Sequence, residues 1–80
     1  MQKLSVVDQR QRMGIQRKFG KRLAEIRNQK KITQEKFAFD IGVDRTYISY
    51  IERGERNPSL FLLYKIAKEL KIKLSDLINF

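Results

Sequence analysis

"GVDRTYISYIERGERNP", residues 42–58, is the stretch on which the reading of this chain turns. Placed at 100° per residue, its central part divides into two sides. Arg45, Ser49, Arg53, Thr46 and Tyr50 share an arc of about 140° that is almost wholly hydrogen-bonding. Tyr47, Ile48 and Ile51 take the opposite side, and Glu52 lies between Ile48 and Arg45. One side docks on a core, while the other is short, polar and cationic.

Working outward, Gly42 is placed to end a preceding helix in the left-handed region, and Gly54 to end this one. Val43 is an apolar turn residue and Asp44 a helix cap. Upstream, Thr33 is an N-cap, Gln34 and Glu35 open a helix, and Phe37, Ala38 and Ile41 form its inner face. Phe19, Leu23 and Ile26 recur at helical spacing, which predicts a first helix over Phe19–Lys30 that stops where two lysines meet the negative end of its dipole. Pro58 keeps Asn57 out of helical geometry. Ser59 then caps a fourth helix with Leu60, Leu63, Ile66, Ala67 and Leu70 on its stripe, and Ser75 caps a short apolar fifth. No period-two run or hairpin dipeptide is present. The fold class is all-α, a bundle of four to five short helices. Residues 1–14 form a basic and polar extension, either disordered or helical, before a domain over residues 15–80.

With 80 residues the chain is one small domain with a thin core. It has no cysteine and no histidine, which removes disulfides, thiolate metal sites and the commonest catalytic bases. No glycine-rich phosphate loop or carboxylate pair points to catalysis, so no enzyme, cofactor, metal or small-molecule ligand is expected. No apolar run reaches a membrane span of about 18 residues, and the first 14 residues lack the apolar centre of a secretory signal. A cytoplasmic protein is the simplest reading.

Eighteen Lys and Arg against nine Asp and Glu leave a net charge of +9 and a pI near 10.2. Such a chain is drawn to polyanions. The excess is uneven. Residues 1–31 hold ten basic and two acidic side chains, whereas residues 32–56 hold four and five. Charge alone therefore points to the first third, and not to residues 42–58.

Two helices of about eight residues joined by "GV" make a helix-turn-helix unit, whose second helix enters the major groove. Arginine can donate twice to guanine, and threonine can offer a hydroxyl or a methyl group. The longer stretch "TQEKFAFDIGVDRTYISYIERGERNPSLFLLYKIAKEL", residues 33–70, resembles the lambda-repressor/Cro-like helix-turn-helix family, and its "DRTYIS" is similar to the controller proteins of restriction–modification systems. That resemblance implies base contacts from Arg45, Thr46, Tyr47, Ser49 and Tyr50. It implies backbone contacts from Gln34, Arg56 and Asn57, and a buried ion pair between Arg27 and Glu52. Arg53, on the same face, and Arg17 and Lys18, from a basic run otherwise read as a solvated helix face, are further candidates for phosphate.

The expected function is a sequence-specific regulator of transcription that binds a duplex DNA operator as a homodimer, since one such helix reads about 4–5 base pairs, too few for selectivity. Two-fold pairing would set half-sites about 34–36 Å apart. Residues 72–80 offer the dimer surface through Leu74, Leu77, Ile78 and Phe80, with one of Leu77 and Ile78 closing the monomer core. Contact with RNA polymerase through Glu35 and Asp40 fits an activator, and blockage of it a repressor. The competing readings are a phage or plasmid repressor, an antitoxin or other protein-interaction module on the same fold, and sequence-independent binding by the basic first third.

Overall fold

Five helices in chain order, α1 Val6–Gln29, α2 Gln34–Ile41, α3 Arg45–Glu52, α4 Leu60–Leu70 and α5 Leu74–Leu77, account for the regular structure of a computed structural model that describes residues 3–80. The described residues contain no strand. Helix α3 packs against α1 and α2, α4 against α2 and α5, and α5 returns to α1. The core lies between these faces. Its fully covered side chains are Leu23, Phe37, Ile48, Ile51, Ile66, Leu70 and Leu77, with Phe19, Ile26, Ala38, Ile41 and Ala67 closing around them. Ile48 and Ile51 are thus the inner side of α3, as its periodicity requires.

Local chemistry sets most helix ends. Thr33 accepts from the Lys36 amide and Ser59 from the Leu62 amide, each at 3.1 Å, which satisfies one orphan donor at each start. Gly42 and Gly54 both take φ near +78°, so both reversals use the residue that adopts this region at no steric cost. At the end of α3 the bonds from Gly54 N to Ile51 O and from Glu55 N to Tyr50 O complete a Schellman motif.

Three expectations are corrected. Helix α1 begins at Val6 rather than near Phe19, so from Val6 the extension over residues 1–14 takes the helical of its two expected forms and runs unbroken into one continuous helix of 24 residues. Its start is fixed by a full capping box: Ser5 Oγ accepts from Asp8 N at 3.0 Å, and Ser5 N donates to the Asp8 carboxylate at 3.2 Å. The first residues of the extension, 1–2, lie outside the described residues. Asp44 sits at the N-cap of α3 in extended geometry, yet its side chain makes no capping bond. Helix α5 starts one residue before Ser75, with Lys73 at its N-cap and no side-chain cap.

Gly20 was not singled out in the sequence, and it positions α3. A Cβ there would collide with the carbonyl oxygens of Ile51 and Glu52, so α1 and α3 cross with their backbones almost touching. Gly54 is pressed in the same way against the backbone of Arg17.

Candidate nucleic-acid interface

Burial of Ile48 and Ile51 fixes the rotation of α3, and the opposite side of the helix is then presented to solvent. Arg45, Thr46 and Arg53 are exposed, and Ser49 and Tyr50 are half-buried between them. The structure brings these five together as one patch, the face drawn from the helical wheel. Arg56 and Asn57, in the loop after α3, are exposed at its far end. Gln34, the first residue of α2, stands at its near end, where the unpaired amides of a helix start favour an anion.

A hydrogen-bond relay anchors this near end. Arg27 and Glu52 form a two-pronged ion pair, Nε to Oε2 at 2.7 Å and Nη2 to Oε1 at 3.0 Å, with side chains only 9% and 7% exposed. The remaining arm of Arg27 donates from Nη1 to the Ile32 carbonyl at 2.6 Å and so holds the turn between α1 and α2. Glu52 Oε1 also accepts from Gln34 Nε2 at 2.9 Å. Gln34 Oε1 in turn faces Arg45 Nη1 at 3.5 Å, a long and weak contact. Charge-assisted bonds of this kind are about twice as strong as neutral ones. No described buried side-chain nitrogen or oxygen is left without a partner. Gln34 therefore arrives at the surface with its amide already oriented, and its second N–H is available to a phosphate.

At the far end, Arg53 donates from Nη1 to Ser49 Oγ and from Nε to Glu55 Oε2, each at 3.0 Å. The guanidinium carbons of Arg53 and Arg56 lie 4.9 and 4.4 Å from the centre of the Tyr50 ring. This cluster did not stand out in the sequence, because it depends on the reversal at Gly54 to bring Arg56 back over α3.

Tyr47 is half-buried, with its ring against the core where α2 meets α3, beside Ala38 and Val43. Arg17 lies along Gly54, at the end of α3. Lys18 does not join the patch; it borders a depression shared with Lys21, Arg22, Glu25, Asn79 and Phe80 on another side of α1. Among the four residues expected at a dimer surface, Leu77 is corrected: it is fully buried in the monomer core. Leu74 is half-buried against that core, which leaves Ile78 and Phe80 exposed at 45% and 51%. No helix among the described residues is long and apolar enough to cross a membrane.

Comparison with known proteins agrees with this geometry. Residues 23–77 match a family described as helix-turn-helix. The control protein C.BamHI of Bacillus amyloliquefaciens is 48% identical over 63 residues, which cover 78% of this chain and 78% of that protein. The restriction–modification controller protein C.AhdI from Aeromonas hydrophila superposes with a TM-score of 0.75 at 45% identity, over 78% of this chain and 94% of that one. The controller protein C.Esp1396I, solved as a tetramer with its natural 35 base-pair operator, superposes with a TM-score of 0.69 at 34% identity, over 82% of this chain and 96% of that one. Five helices, with α3 held by its inner side against α1 and α2, a polar patch on the outer side of α3 and these matches together place the chain in the helix-turn-helix family.

Proposed function

We propose that this chain is a transcriptional regulator of the restriction–modification controller type, which binds duplex DNA sequence-specifically as a homodimer on a two-fold operator. The observation that carries this reading is the outer patch of α3, in which Arg45, Thr46 and Ser49 stand on a helix whose other side is locked into the core. Such a helix fits the major groove with its N-terminal residues nearest the bases. Arg45 and Thr46 then read base edges, Ser49 and the hydroxyl of Tyr47 stand within the same groove, and Gln34, Arg53, Arg56 and Asn57 hold the sugar–phosphate backbone on either side. Arg17, beside the end of α3, adds to the backbone contacts, and the basic first third supplies general attraction.

The exposed Ile78 and Phe80, with the edge of Leu74, form the dimer surface in this reading. C.Esp1396I, solved as a tetramer on its operator, supports both assembly and the nature of the ligand. Bound at a promoter, the dimer represses by obstructing RNA polymerase or activates by touching it through Glu35 on α2. Its place is in the cytoplasm with the nucleoid, and its role is binding, not catalysis.

Selection of bound sequences from a random duplex pool tests the proposal. Enrichment of two inverted half-sites spaced by about one helical turn is the expected result. A pool that stays unenriched after repeated rounds would overturn it.

A further inference from the structure

We propose that the ring of Tyr50 is a platform that holds Arg53 and Arg56 in place for the DNA backbone, so that Tyr50 is a positioning residue and not a reader of bases. The inference rests on the DNA-binding reading above. It starts from the end of α3, where the Schellman bonds through Gly54 and Glu55 leave the chain one path back over the helix. Arg53, three residues after Tyr50, reaches the ring from the C-cap of α3, and Arg56 reaches it from the loop, at 4.9 and 4.4 Å from ring centre to guanidinium carbon. Each guanidinium is also tied down by hydrogen bonds, Arg53 to Ser49 and Glu55, and Arg56 from Nη1 to the Glu55 carbonyl at 2.8 Å.

This arrangement has a purpose only if something anionic completes it. Two guanidinium groups on one ring repel each other, and among the described residues Glu55 is the only carboxylate bonded to either, through Arg53. A phosphodiester that approaches the cluster relieves that repulsion and meets donors whose rotamers are already restricted. Holding long side chains before binding removes an ordering cost that would otherwise weaken the complex. The ring itself is engaged by its own cations, so it is poorly disposed to meet a base.

The test uses the full chain, the duplex recovered by selection and a random duplex of equal length, at one salt concentration. Tyr50→Phe keeps the platform and is expected to bind both duplexes within about twofold of wild type, since the cation is attracted by the ring and not by its hydroxyl. Tyr50→Leu is expected to bind both about 5- to 30-fold more weakly, because two stacked cations are released and phosphate contacts carry no sequence information. In a double-mutant cycle, Arg56→Ala is expected to cost at least about threefold less in the Tyr50→Leu background than in wild type. Tyr50→Met provides a second non-aromatic side chain, with circular dichroism to verify folding of each variant. Loss of preference at one base pair in Tyr50→Phe, or an additive cycle, would overturn the platform. Failure of wild type to prefer the selected duplex would overturn the sequence-specific reading itself, a separate result.

Discussion

Glu52 is the hinge between the core and the outer patch, and Glu52→Gln tests both of its attachments. The substitution keeps the shape of the side chain and removes its charge. Three donors converge on the carboxylate: Nε and Nη2 of Arg27 and Nε2 of Gln34. A glutamine offers one oxygen and one NH2 group, so at least one of these donors meets another donor. Loss of one partner from a buried ion pair costs about 3–5 kcal/mol. The oxygen that remains still accepts from the charged Arg27, which recovers roughly 1–2 kcal/mol. The net loss is therefore about 1–4 kcal/mol, against a total stability of about 4–12 kcal/mol for a chain of this length. The melting temperature should fall by about 4–32 °C. Urea unfolding followed by circular dichroism at fixed protein concentration measures the loss, and an unchanged m-value shows that the same surface is exposed. The pair Arg27→Met with Glu52→Leu replaces the ions by apolar groups and should return close to wild-type stability. It should nevertheless bind DNA roughly fivefold more weakly, because Gln34 is no longer oriented. A loss below about 0.5 kcal/mol for Glu52→Gln, the size of an ordinary surface substitution, would refute this account of the relay.

Three further outcomes are expected. Arg45→Ala should cost about 1–3 kcal/mol on the selected site and relax preference at one base pair, as read by competition with single-base variants of that site. Gly20→Ala should destabilise the fold by about 1–3 kcal/mol, because a methyl group there meets the backbone of Ile51 and Glu52, which cannot move aside as a side chain could. Ile78→Glu should give a folded monomer in sedimentation experiments, whereas Leu77→Glu should fail to fold, since Leu77 is fully buried.

What could be read from residues alone follows from how each feature is encoded. Helices α2 and α3 and their turn were readable because Thr33, Gly42 and Gly54 punctuate two runs of helical period, and burial follows that period. The first half of α1 was not, because Val6, Val7, Met13 and Ile15 are exposed and carry no pattern of burial. Its helix is set by the Ser5–Asp8 capping box and by propensity, which a hydrophobic period does not report. Leu77 and Ile78 are neighbours at the end of a four-residue helix, too short for periodicity to tell which one faces inward. Asp44 has the residue type and backbone of a cap without its hydrogen bond, a distinction that depends on one side-chain torsion. Gly20 and the Tyr50 cluster depend on how distant segments cross, so neither had a local signal. The Arg27–Glu52 pair came from family resemblance, since no spacing rule connects residues 25 positions apart.

The central claim is that the outer side of α3 reads sequence while the basic surface supplies only attraction. Competition at near-physiological salt between the selected duplex and random duplex of equal length tests it most directly, because both carry the same phosphate charge. A specific reader should prefer its site by about 10³-fold or more. Equal competition by the two duplexes, with binding that falls steeply as salt rises, would leave charge as the whole basis of binding and contradict the assignment of the α3 face.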